Sequence, residues 1–260
     1  MQEANIDVNG TKLHLFEAGT LESDGGDTVL FLHGAGGSNW SPLLQLLAEN
    51  HRVIAPEHPG FGRSQIPDWM MSVGDLAYFY LDVMKQLDLT NVHLVGHSLG
   101  GWTAAEIAVR NTSRLKSVSL LAPAGVRSPN VPFGDIFLWS WEEHARHMFY
   151  DPKLVEQRLK QVATMDHDVQ LQNRAAAARL AWNPRLSNPQ LPYWLHRIDV
   201  PTLFIWGKND EICPFDCAQY YVKPIPNATL DAMDQTGHAL HTEKPNEVAA
   251  KLTAFFRNAK

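Results

Sequence analysis

The chemistry of this 260-residue chain centres on Ser98, in the pentapeptide Gly96-His97-Ser98-Leu99-Gly100. A serine hydroxyl is a poor nucleophile near neutral pH. It needs a base to take its proton, and the base needs a third group to hold its tautomer and stabilise the imidazolium. Glycines two positions before and two after the serine allow a sharp turn that pushes the hydroxyl outward, and Gly101 extends the clearance. Twelve histidines compete for the role of base. His97 adjoins Ser98, but neighbouring side chains on a sharp turn point apart. His238 follows Gly237 after a late β-like run, where a short loop can bring it beside Ser98. For the acid, Asp210 lies just past a buried strand, at the edge where α/β sheets place their ligands. Asp234 and then Glu211 are its rivals, both more economically read as solvated loop charges. Apart from His144-x-x-His147, which is expected on a helix surface, no histidine pair with a matching carboxylate suggests a metal site.

A second glycine-rich stretch, His33-Gly34-Ala35-Gly36-Gly37-Ser38, follows the apolar run Thr28 to Leu32. It lacks the Lys-Ser/Thr pair of a phosphate-binding loop and the spacing of a dinucleotide fingerprint. The alternative is a loop whose backbone N–H approaches a developing oxyanion. Ala35 would supply one such N–H and Leu99, the residue after the serine, the other. His33, at the strand end, is expected to hold that loop by hydrogen bonds.

These groups must be positioned by a regular scaffold. Asn9-Gly10 between two short β-like runs predicts an opening hairpin, and residues 22–27 predict a polar loop. Strands are expected at Thr28–Leu32, Arg52–Pro56, Val92–Val95, Ser117–Pro123 and Pro201–Gly207, with a weaker peripheral one at Thr229–Met233. Ser41-Pro42 reads as a helix start with Leu43, Leu46 and Leu47 on one face, and Ser72 with Asp75 as a capping box ahead of Leu76, Tyr80, Val83 and Leu87. Helices are also expected over Trp102–Arg110 and at the C-terminal Val248, Leu252, Phe255 and Phe256. That alternation predicts an α/β fold, a mainly parallel twisted sheet flanked by helices. Residues 124–192 break the rhythm: no strand pattern occurs, and Leu154 to Val162 and Gln170 to Trp182 carry helical spacing. A core of residues 1–123 and 193–260 with a helical cap of 124–192 inserted in it is therefore expected. Phe137, Trp139, Trp141 and Met148 of the cap are candidates for an apolar substrate wall.

Composition narrows the function classes. A net charge of −6 with no basic block argues against nucleic acid as partner. No apolar run is long enough to span a membrane, and no leader pattern opens the chain, so a cytoplasmic location is expected. Cys213 and Cys217 do not have a zinc or redox spacing and read as buried free thiols. No metal or organic cofactor is expected, and a monomer or a homodimer is equally compatible with the sequence.

His33-Gly34, Gly60-Phe61-Gly62-Arg63-Ser64, Gly96 to Gly101, Gly207-Lys208-Asn209-Asp210 and Gly237-His238 together resemble the α/β-hydrolase superfamily, in the order Ser, Asp, His and over nearly the whole chain. The resemblance implies Ser98 as nucleophile, Asp210 as orienting acid, His238 as base, and Ala35 with Leu99 as oxyanion donors. Epoxide hydrolases and haloalkane dehalogenases use an Asp nucleophile, which Ser98 disfavours. Meta-cleavage-product hydrolases, which cut C–C bonds of vinylogous diketones, usually carry Gly-Asn-Ser at the elbow and Trp after the histidine. Here the elbow reads Gly96-His97-Ser98 and Ala239 follows His238. Cofactor-free haloperoxidase-like relatives usually read Gly-Phe-Ser. The first expectation is thus hydrolysis of a small carboxylic ester, thioester or lactone through an acyl-enzyme. C–C hydrolysis and a slow-turnover small-molecule receptor are the alternatives.

Overall fold

The computed structural model describes residues 1–19 and 27–259, so the loop expected over 22–27 lies outside the described residues except for Asp27. In chain order the elements are β1 (Gln2–Val8), β2 (Thr11–Ala18), β3 (Thr28–Leu32), α1 (Pro42–Leu47), β4 (Arg52–Pro56), α2 (Val73–Gln86), β5 (Val92–His97), α3 (Leu99–Arg110) and β6 (Leu115–Leu121). Three helices follow, α4 (Trp141–Met148), α5 (Pro152–Val162) and α6 (His167–Ala181). The chain then resumes with β7 (Thr202–Gly207), α7 (Ala218–Val222), β8 (Ala228–Met233), α8 (Leu240–Glu243) and α9 (Pro245–Asn258).

Asn9 and Gly10 both have positive φ (50° and 82°), as a two-residue hairpin turn requires, and they pair β1 with β2. The eight strands form one sheet in the order β1-β2-β4-β3-β5-β6-β7-β8, antiparallel at β1/β2 and β2/β4 and parallel elsewhere. Every residue of β3, β5 and β7 is buried, which explains why these strands read as unbroken apolar runs with no alternation. From β3 the chain moves outward to β4, then crosses back to lay β5 on the other side of β3. The loops leaving β3 and β5 therefore diverge, and a crevice opens between them at the carboxyl ends of the strands.

Helix starts follow the local chemistry read from the sequence. Ser41 caps α1 by accepting from the Leu44 N–H, and Ser72 caps α2 by accepting from the Asp75 N–H. In α1 the structure buries Leu43, Leu44 and Leu47, while Leu46 is only half-buried, a rotation of the expected face by one position. α4 opens on a full capping box, Ser140 with Glu143, a signal that the sequence contains and that the aromatic residues around it obscure. No helix among the described residues is long and apolar enough to cross a membrane.

Candidate active site

Ser98 sits between β5 and α3 at φ 54° and ψ −115°, a backbone strained for any residue with a side chain. The surroundings over-determine it. The Ser98 N–H donates to the Leu121 carbonyl, and the Ser98 carbonyl accepts from Trp102 and Ala124. The elbow glycines are steric requirements: a Cβ on Gly96 would lie 2.2 Å from the Gly100 carbonyl oxygen, and one on Gly100 would lie 2.1 Å from the Leu32 carbonyl oxygen. α3 can thus begin directly after the elbow, packed on β5 and β3.

Asp210 follows β7 and has a fully buried side chain. Its Oδ1 accepts from the N–H groups of Ile212 and Cys213, both at 2.8 Å, and its Oδ2 lies 2.8 Å from His238 Nδ1. A carboxylate only accepts, so Nδ1 of His238 carries a proton, and in the neutral ring Nε2 is the acceptor. The loops bearing the two residues are joined: the Asn209 N–H donates to the Thr236 carbonyl, and Gly207 leaves no room for a Cβ, which would lie 2.3 Å from the same oxygen. The rivals are elsewhere. Asp234 pairs with Lys208 and Glu211 with His147, both carboxylates largely in solvent.

Ser98 and His238 line one cavity of ≈ 310 Å³ with His33, Gly34, Ala35, His97 and His241. Among the described residues neither the Ala35 nor the Leu99 N–H donates to another protein group. His33 is buried and fully engaged: its Nδ1–H donates to the Gly34 carbonyl and its Nε2 accepts the His58 N–H. Burial pushes it down to about 4, so it stays neutral as a loop support.

The segment between β6 and β7 supplies the opposite wall, through Ile136 ahead of α4 and through His144, Met148, Arg158, Gln170 and Asn173 on its helices. They are tied down by polar contacts to the core loops: Asn173 donates to the Gly36 carbonyl and accepts from the Gly62 N–H, and the Ala239 N–H donates to the Met148 carbonyl. Of the side chains expected at the wall, Met148 faces the main cavity. Phe137 and Trp141 line a recess of ≈ 60 Å³ that shares Ala35, Ile136 and Met148 with it. Trp139 lines neither: its ring stacks on His147 at 4.4 Å and covers Gly134, where a Cβ would meet it at 2.3 Å. His144 is not the surface histidine expected from its spacing. It lines the cavity, and burial, then the nearby His238, Arg174 and Arg158, pushes it down to about 3. Arg158 also faces the cavity. Burial lowers its pKa, and among the described residues its guanidinium has no carboxylate partner, only Gln161 at 3.3 Å. Only its helical spacing was visible beforehand.

Cys213 and Cys217 are buried and unbonded to each other. Burial raises the Cys213 thiol well above its ordinary range, and burial raises Cys217 to about 11, so neither is a thiolate near neutral pH.

Residues 29–251 match the model of the alpha/beta hydrolase family. The chain is 28% identical over 261 residues to a 2-hydroxy-6-oxononadienedioate/2-hydroxy-6-oxononatrienedioate hydrolase of Pseudomonas putida, covering 92% of this chain and 88% of that protein. It is also 28% identical over 268 residues to the dihydrolipoyllysine-residue acetyltransferase component of an acetoin cleaving system from Pseudomonas putida, covering 96% of this chain and 68% of that one. In fold it is similar to a meta-cleavage product hydrolase from Pseudomonas fluorescens IP01, with a TM-score of 0.84 at 23% identity, covering 99% of this chain and 98% of that one. With its eight-stranded sheet, strained serine elbow and family match over most of its length, the chain belongs to the alpha/beta hydrolase family.

Proposed function

We propose that this hydrolase cleaves a small carboxylic ester, thioester or lactone through an acyl-enzyme on Ser98. The observation that carries the reading is the 2.8 Å Asp210–His238 hydrogen bond, which leaves His238 Nε2 as an acceptor in the cavity that Ser98 also lines. In the forward step Nε2 takes the Ser98 proton as Oγ attacks the substrate carbonyl. The oxyanion is received by the Ala35 and Leu99 N–H groups, and the imidazolium then gives its proton to the leaving oxygen or sulfur. Water, deprotonated by the same nitrogen, attacks the acyl-enzyme and releases the acid. Removing one oxyanion donor typically costs about 10²–10³ in kcat, so the Ala35 loop matters almost as much as the serine.

Residues 124–192 act in this reading as a cap that closes the cavity. The cavity volume of ≈ 310 Å³ suits a substrate of modest size. Its lining is mixed: Phe31, Ile136, Met148 and Ile212 are apolar, while Arg158 brings a positive charge without a carboxylate partner among the described residues. That charge favours a substrate with its own carboxylate.

The same observation supports a second reading, C–C hydrolysis of a vinylogous diketone acid. The Pseudomonas putida relative is named for a dienedioate, a substrate with carboxylates. The experiment is turnover of a chain-length series of p-nitrophenyl esters by the wild type and by Ser98→Ala, beside a vinylogous diketone acid. Short esters are expected to turn over, with kcat lower by about 10⁴-fold or more in Ser98→Ala. Ester turnover surviving in that variant near the wild-type rate would overturn the assignment of Ser98. A diketone cleaved faster than any ester would select the second reading.

A further inference from the structure

His97 belongs to the elbow, yet the steps above give it no task. It is buried, and its Nε2 lies 3.0 Å from the main-chain oxygen of His238. A carbonyl only accepts, so Nε2 carries the proton and donates. The ring is held from two sides. His241 packs on it with ring centroids 4.2 Å apart, and on another edge Nδ1 lies against Gly34, where a Cβ would approach it to 3.0 Å. The His238 ring is 4.8 Å away. Burial, followed by repulsion from His241 and His238, keeps His97 well below the ordinary histidine range and therefore neutral. One side chain thus touches the Gly34–Ala35 loop and the backbone of His238, and adjoins Ser98 in the chain.

An imidazole held by a single hydrogen bond can still swing about that bond. The Asp210 contact fixes one end of the His238 side chain. The backbone around it is pinned by the Gly237 N–H to Glu243 and the Ala239 N–H to Met148. Among the described residues, the His238 carbonyl between them is held by His97. We propose that His97 is a positioning residue, whose Nε2–H anchors the His238 main chain so that the His238 imidazole keeps its aim at Ser98. The proposal rests on the Ser98–His238 reading above.

The test replaces the ring while keeping or removing its donor. In His97→Gln the side-chain amide nitrogen is as many bonds from the backbone as Nε2 and can donate to the same carbonyl. In His97→Phe the ring stays and the donor goes, and His97→Leu is a second donor-free variant should the first not fold. The readout is phosphonylation of Ser98 by a fluorophosphonate probe, followed by intact mass, with melting temperature as the check on folding. The maximal labelling rate is expected to fall about 10–100-fold in His97→Phe, as for other residues that orient a reacting group through a hydrogen bond, at an unchanged half-saturating probe concentration. His97→Gln is expected to restore it to within about threefold of wild type. A folded His97→Phe that labels at the wild-type rate overturns the proposal, as does a His97→Gln as slow as the donor-free variants. If Ser98 of the wild type is not labelled, the underlying reading fails first and His97 loses its role with it.

Discussion

Two groups of histidines flank the strand ends, and they are built on opposite principles. In the first, His33 and His58 face each other with ring centroids 3.9 Å apart beneath the Gly34–Ala35 loop. Each nitrogen has a fixed partner. His33 donates to the Gly34 carbonyl and accepts the His58 N–H; His58 Nε2–H donates to the His33 carbonyl, and its Nδ1 accepts the Tyr80 hydroxyl at 2.6 Å. In the second, His97, His238, His241 and His144 line the cavity that His33 also borders. Here only His97 Nε2 and His238 Nδ1 are hydrogen-bonded among the described residues, and His241 Nδ1 is buried without a partner. A saturated imidazole has nothing left to offer a ligand and serves as scaffold. One with an open nitrogen on a cavity is available to chemistry. Burial holds His33 and His58 of the first group and His97, His144 and His241 of the second below the ordinary histidine range, so hydrogen-bond accounting, more than charge, separates the two groups.

The largest effect should come from disturbing the one bond that gives His238 its direction. In Asp210→Asn the oxygen that accepts from Ile212 and Cys213 can remain in place, so the loop is expected to hold. The new amide N–H₂ then faces His238 Nδ1 and favours the other tautomer, with the proton on Nε2, where the proposed proton transfer from Ser98 needs an acceptor. A fall of about 10⁴ in kcat on a p-nitrophenyl ester is expected, with the melting temperature little changed. A variant within tenfold of the wild type would place the base elsewhere.

How much of this was legible in the sequence depends on how local the signal is. The elbow could be read because its glycines answer clashes within a few residues and its flanks are a strand and a helix. The buried strands and the Asn9-Gly10 hairpin are equally local. The Asp210–His238 pairing spans 28 residues, yet chain order and the strand-end rule sufficed to suggest it. The inner face of the helical insert was not legible, because it is set by how α4, α5 and α6 lean on the core loops. Asn173 reaching Gly36 and Gly62, and Arg179 reaching the carbonyls of Pro67 and Asp68, fix that lean, and no periodicity reports it. The outcome is that Trp139 folds back over Gly134, while His144 and Arg158, polar and unpromising in a helical wheel, face the cavity.

The scaffold pair predicts a pH dependence of stability. Burial holds folded His33 at about 4, whereas the unfolded chain takes up that proton near 6.5. Between those values the unfolded state binds more protons, so stability falls as pH falls. His33 alone should cost about 2 kcal/mol between pH 6.5 and 5, and His58, also lowered by burial, acts in the same direction. Urea midpoints at pH 7 and 5 measure this. A flat profile would mean that the pair takes up protons without unfolding, and the distinction between scaffold and site would lose its basis.

A substitution expected to leave kcat unmoved tests that distinction most sharply. Tyr80 is fully buried, and burial raises its hydroxyl well above 10, so it remains a donor to His58 Nδ1 at any working pH. Tyr80→Phe keeps the ring and strands one imidazole nitrogen in the core. The expected cost is about 1–3 kcal/mol of stability, the desolvation penalty of an unpaired buried polar group. Because the His33 contacts to Gly34 and His58 are left in place, the loop above should keep its shape and kcat per folded molecule should not move. Urea unfolding and active-site titration on the same sample separate the two quantities. Lost stability at constant kcat would mark the pair as pure scaffold. A fall in kcat at unchanged stability would mean that the saturated network also sets the position of the Ala35 N–H, and that the two histidine groups work as one.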